Sequence, residues 1–175
     1  MTLRPIFEWM DALESSIALR ESLNAYPAFL TAHVVSMCLF AGLIGYWDLR
    51  LLGLTLKKVP ASSILPRILP WALTGFAVSV VTGLLLFYSQ PMRYFSNFYF
   101  WFKSGMILLA GLNMFIFHIT TEKSAARWEM DLKPPFGARL AGVVSLVLWA
   151  AIIATGRLIA YAGLAPVWWD NLGLR

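Results

Sequence analysis

The chain has 175 residues, of which 59% are hydrophobic and 13% charged, with a mean hydropathy of +0.70. Too few polar side chains remain to cover a water-facing globule of this size, so lipid must cover part of the surface. The net charge of +5 does not signal nucleic acid, because the basic residues are scattered in short segments beside apolar runs, and the single cysteine excludes an intrachain disulfide or a paired-cysteine zinc site.

In residues 2–24, Ile6, Trp9, Met10, Leu13, Ile17 and Leu23 recur at helical spacing, with Glu8, Asp11, Glu14 and Glu21 largely elsewhere. This pattern predicts an amphipathic surface helix over 1–25, lying along the membrane or docked on the rest of the chain. Charge and hydrophobe alternate there, unlike the apolar core of a cleavable signal peptide.

The first span is expected over 26–47, a run of 22 residues without a formal charge, long enough to cross a bilayer core at ~1.5 Å per residue. Pro27 falls in its first turn, where a missing N–H is tolerated. His33 is its one titratable ring, and such a group inside a span is a functional-site hypothesis by default. Cys38 is expected as a buried thiol, Gly42 and Gly45 as a place of close helix approach, and Trp47 as an interfacial end.

The second span, 68–88, opens near Pro66 and Pro70 and carries Gly75, Ser79 and Gly83 at four-residue intervals, a small-residue packing face. The third, 98–119, holds Lys103, Asn113 and His118. The fourth, 140–164, holds Arg157, and Trp168 and Trp169 anchor a tail over 166–175. Four apolar helices joined by loops of roughly 10–20 residues predict an all-α integral membrane protein, an antiparallel four-helix bundle occupying 26–165. Arg50, Lys57, Lys58 and Arg67 lie between spans one and two, and Lys123, Arg127, Lys133 and Arg139 between three and four; Arg4, Arg20, Arg93 and Arg175 lie on the other side. This asymmetry predicts both termini outside and the two basic loops in the cytoplasm.

Counting depth from the span ends puts His33, Lys103, Arg157 and Tyr161 in one layer near the periplasmic face, about 10 Å deep, with Met106 one turn from Lys103. His118 lies about 20 Å further in, near Asp48, Trp47 and Trp128. That separation argues against one haem iron bridging both histidines within one subunit, since each axial nitrogen must come within ~2 Å of the metal. The metal-ligating candidates are His33 and His118, with His33 favoured. The second axial position would fall to Met106, to a partner subunit's copy of the same histidine, or to nothing. Lys103 and Arg157 would meet propionates.

Each residue also has a plainer role. His33 could bond a carbonyl or Ser36; Lys103 and Arg157 could snorkel to headgroups; His118 could pair with Asp48; Met37, Met106 and Met114 could fill the core. No nucleophile triad, zinc-protease motif or phosphate loop is present, which argues against hydrolytic and kinase chemistry.

The phrases YPAFLTAHVV, GLIGYWDLRLLGL, LPWALTGFAVSVVTGLLLF, KSGMILLAGLNMFIFH and ATGRLIAY, spread over roughly 16–162, closely resemble a family of small bacterial inner-membrane proteins built on a domain of unknown function. The resemblance implies a four-helix inner-membrane protein. A looser similarity to copper-resistance-type and b561-type membrane cytochromes implies redox work. The matching phrases include His33, Asp48, Arg50, Lys103, Asn113, His118, Arg157 and Tyr161. The expected function is a small electron-transfer subunit that binds haem b, or a quinone, near the periplasmic face. Its expected partners are the lipid bilayer and a periplasmic redox protein or membrane complex subunit. A homo-oligomer packed through Gly75, Ser79 and Gly83, or through Gly156 and Ala160, is open. The alternative is a non-redox anchor or assembly subunit. A carrier is disfavoured because the middle of the spans offers few polar groups beyond Asn113 and Ser79.

Overall fold

A computed structural model describes residues 4–56, 59–120 and 134–161. Seven helices are formed among them: α1 (Arg4–Asp11), α2 (Glu14–Glu21), α3 (Ala25–Leu51), α4 (Ala61–Ser89), α5 (Pro91–Phe95), α6 (Phe98–Thr120) and α7 (Phe136–Leu158). The stretches α3, Ser63–Ser89 of α4, α6 and α7 are long and apolar enough to cross a membrane, and we read the chain as a multi-pass membrane protein.

Local chemistry sets the helix ends. α3 runs four residues past Trp47 and so carries Asp48 and Arg50 as helical residues, 2% and 0% exposed. Both stay in the helix because each finds a partner: Asp48 accepts from Ser145, and Arg50 donates to the Val59 carbonyl. The stop is Gly53, at φ 72°, whose N–H reaches Arg50 O at 2.9 Å while the Leu54 N–H reaches Leu49 O at 3.0 Å. That pair of bonds satisfies carbonyls the last turn would otherwise leave open. α4 begins at Ala61, ahead of the expected 68, and continues through Pro66 and Pro70; each proline removes one helical hydrogen bond, which neighbouring helices make tolerable in a span. Asn97 starts α6 by accepting the Tyr99 N–H at 2.9 Å, and its Nδ2 donates to Ile159 O at 3.1 Å, tying that start to the end of α7. α7 gives way at Leu158 to a tight turn in which Tyr161 N–H bonds Leu158 O. The expected tail over 166–175, with Trp168 and Trp169, and the loop carrying Trp128 lie outside the described residues.

The amino-terminal segment is two helices rather than one. Leu13 takes an extended conformation between them, and the break lets each piece dock separately on the protein. α1 packs on α5, with the Phe7 ring 5.6 Å from Phe87 and 4.8 Å from Phe95. Ser16, fully buried on α2, donates to Tyr88 O at 2.8 Å. Ile6 and Trp9 face away. In α5, Tyr94 hydrogen-bonds Tyr26; burial, with Tyr26 alongside, pushes its phenol above the ordinary range.

Among the long helices α3 packs against both α4 and α7, and α6 packs against α7. The α3–α4 seam uses the small-residue face of α4: a Cβ placed on Gly75 would lie 3.0 Å from Ser36 O and 3.2 Å from Phe40 N. Backbones can approach this closely only across a missing side chain. The matching approach of α7 to α3 occurs at Gly142, where a Cβ would meet Asp48 O at 3.1 Å and the Leu51 Cβ at 3.2 Å. Gly42 and Gly45 do not do this work: Gly42 faces open space and Gly45 meets only a Leu146 methyl at 3.6 Å. Cys38 is exposed on α3 rather than buried, on a surface otherwise as apolar as lipid.

Candidate functional site

Polar side chains enter the helix assembly at two levels. At the first, His33 on α3 lies against α4, its Nδ1 2.9 Å from Ser79 O and 3.3 Å from Thr82 Oγ1. A carbonyl can only accept, and the Thr82 hydroxyl already donates to Val78 O at 2.6 Å, so Nδ1 carries the proton. Nε2 is then the lone-pair nitrogen, and it has no hydrogen-bond partner among the described residues. Gly83 makes room for the ring: a Cβ there would lie 3.0 Å from His33 Cε1. Lys103 on α6 shares this level, close enough for its charge to act on the ring. Its side chain runs over Gly156 of α7, where a Cβ would be 3.4 Å from Nζ. No acidic partner of Lys103 occurs among the described residues.

The other residues expected in this layer divide. Met106 is 7% exposed, packed with Ala110, Ile152 and Met37 as an apolar plug. Arg157, exposed on α7, is turned away from its interior stripe of Ala138, Gly142, Ser145, Ile152 and Thr155, and Tyr161 is exposed in the turn that follows the helix. They pair with each other instead, Nη2 to phenol oxygen at 3.4 Å with the guanidinium 5.6 Å from the ring centroid.

At the second level, Asp48, Asn113 and Ser145 line one groove of about 190 Å³ whose walls are α4 and α6 and whose floor is α3 and α7. The Ser145 hydroxyl donates to Asp48, and Asn113 Nδ2 donates to Ala141 O at 3.0 Å. Asp48 Oδ2 is buried and has no hydrogen-bond partner among the described residues. His118 is exposed on α6, and its neighbour Phe117 rather than itself faces the groove; of its two expected partners, Asp48 or lipid, Asp48 is instead met by Ser145. His33 and His118 share no metal-ligand cluster, and no group of three or more His, Cys, Asp or Glu is gathered among the described residues.

Sequence reasoning missed Gly142, Ser145 and Thr82. Gly142 and Ser145 stand three apart on an apolar helix, a small-residue pair like those noticed elsewhere, but their link to Asp48 exists only once α3 and α7 pack.

No curated protein and no solved structure matches the chain, so the looser likeness to copper-resistance-type and b561-type cytochromes gains no match from either comparison. Residues 6–162, nearly all the helices just described, match the family of unknown function DUF6644, and the chain belongs to that family.

Proposed function

We propose that the protein is a small electron-transfer subunit of the bacterial inner membrane, an antiparallel four-helix bundle with both termini in the periplasm and a redox group at the His33 level. The observation that carries this reading is the fixed ring of His33: Nδ1–H held by Ser79 O leaves Nε2 as a bare lone pair with no hydrogen-bond partner among the described residues. A backbone acceptor on the far nitrogen is how metal-binding imidazoles are oriented and made more basic. The Nε2 lone pair favours a haem b over a quinone, because it is a metal ligand, whereas a quinone carbonyl would find its donor only in Lys103. His33 would be the axial ligand, and Lys103, with no acidic partner among the described residues, would meet a propionate. Bound haem supplies one-electron exchange. Arg157 takes no part, being engaged with Tyr161 on the outside of α7. The protein's own contribution is to hold the imidazole in one tautomer, to supply a cation beside it and, through Met37, Met106 and Ile152, to keep water from the level beneath.

A non-redox anchor or assembly subunit is the second reading. Ile6 and Trp9, 55% and 64% exposed on α1, favour it as an apolar surface on the docked amino-terminal helices. A periplasmic redox protein would use the same surface under the first reading.

The test is a dithionite-reduced minus air-oxidised absorption spectrum of detergent-purified protein made with excess haem precursor. The redox reading expects a Soret shift and a sharp α band, lost in His33→Ala and kept in His118→Ala. A flat spectrum from folded protein, with a partner chain that co-purifies and is lost on Trp9→Ala, would favour the anchor.

A further inference from the structure

The groove at the Asp48 level has a chemistry of its own, separate from the redox reading. Its lining is apolar and aromatic, with Phe40, Trp47, Phe76, Phe117 and Trp149 among its walls, and among the described residues no Lys, Arg or His contributes to it. Phe40, Phe76 and Trp149 form one connected cluster, with ring centroids 5.1 Å and 4.7 Å apart. That cluster stands two turns of α3 from Asp48, roughly 12 Å along the axis. Asp48 is 2% exposed, lines the groove, and leaves Oδ2 without a partner. A buried acceptor with no donor is expensive, and a carboxylate more so than an amide. In a membrane span such a group marks the path or seat of something that complements it.

Three features select the complement. The unmet atom is an acceptor on an acidic side chain, so the ligand brings a donor and, opposite a carboxylate, a positive charge. The walls are π faces, which attract an ammonium and accept an apolar body equally well. The volume is about 190 Å³, while a dry cavity of about 150 Å³ holds benzene, so the body is on the order of one substituted ring. Entry is lateral: α4 and α6 form opposite walls, and Leu73 and Met114 at their lips are 54% and 67% exposed. We infer that the groove between α4 and α6 binds a small lipophilic ammonium ion from the lipid side, its N–H donors on Asp48 Oδ2 and its apolar body along Phe40 and Phe76.

The experiment uses the full-length protein in detergent and two probes of nearly equal shape, radiolabelled 2-phenylethylammonium and its neutral counterpart propylbenzene, in equilibrium dialysis against protein-free micelles. Saturable binding of the ammonium, weakened on the order of tenfold or more by Asp48→Asn while propylbenzene binding is unchanged, is the expected result. Leu73→Trp, a lip substitution that leaves Asp48 intact, should abolish binding of both probes. Equal affinity of the two probes for the unaltered protein would reduce the groove to an apolar cleft and overturn the inference. So would ammonium binding that survives Asp48→Asn, or no saturable binding of either probe. The probe pair on the unaltered protein decides the matter even where Asp48→Asn does not fold. A haem spectrum, present or absent, bears on none of these outcomes.

Discussion

The His33 level and the Asp48 level are built alike: in each, a titratable side chain of α3 faces small residues of a neighbouring helix. At the first level the neighbour's backbone answers the side chain, with Ser79 O holding Nδ1 and Gly83 admitting the ring, and the apolar plug of Met106 and Ile152 fills the space below. At the second the neighbour answers only half of it. Ser145 reaches one side of the Asp48 carboxyl, Gly142 lets α7 in against the backbone, and the space toward α4 and α6 stays open. The difference follows from which helices meet. α3 packs closely along α4 near His33, whereas near Asp48 the groove floored by α3 and α7 runs between α4 and α6, which face each other across it. One level presents a ring set in a fixed tautomer, and the other a hollow with an unmet acceptor.

Substitutions can break that contrast in graded steps. The largest effect is expected from Gly75→Leu, because its side chain would enter the α3 backbone at Ser36 and Phe40 rather than a movable side chain. Overpacking of that kind should cost about 3 kcal/mol or more, read as loss of helicity in a denaturing-detergent titration. Next is Ser145→Ala, which removes the one donor to Asp48 among the described residues and should cost roughly 2 kcal/mol in the same titration while leaving the His33 level unchanged. Gly142→Ala brings a methyl to 3.1 Å from Asp48 O and should cost roughly 1–2 kcal/mol. Gly42→Ala is the smallest and has the opposite sign. With nothing within 4 Å, a methyl there should stabilise α3 by about 0.5–1 kcal/mol through helix propensity alone. A destabilised Gly42→Ala would mean that another subunit occupies that face.

Much of the first level is legible in the amino-acid sequence. The four-residue rhythm of Gly75, Ser79 and Gly83 and the lone His33 in an uncharged run point to one packing face and one ring, and these are the residues that meet. Depth counting puts Lys103 beside them, because rise per residue is fixed in a helix. Rotation about the helix axis is harder to read. Arg157 stands at the right height but on the outer side of α7, Tyr161 lies exposed in the turn beyond it, and Met106 at the right height is core. The Gly42 and Gly45 pair looks like a close-approach motif, yet Gly42 faces open space and Gly45 meets only a side chain of α7; spacing alone does not say which face is covered. The end of α3 is misread for a related reason: a charged Asp48 looks like the end of a span until Ser145, almost a hundred residues later, is found to hold it. The break in the amino-terminal segment leaves no proline or glycine signature, so periodicity alone merges α1 and α2 into one helix.

The central claim is that His33 presents Nε2, and not Nδ1, as its free nitrogen, ready for a metal. The chain has two histidines, so 15N-histidine NMR of the detergent-solubilised protein, with His118→Ala to assign the signals, reads that claim directly. The expected spectrum has His33 with a protonated Nδ1 and a bare Nε2. Added haem should then broaden away the His33 signals and spare those of His118. A His33 ring protonated on Nε2, or one whose signals stay sharp in the presence of haem, would contradict the account.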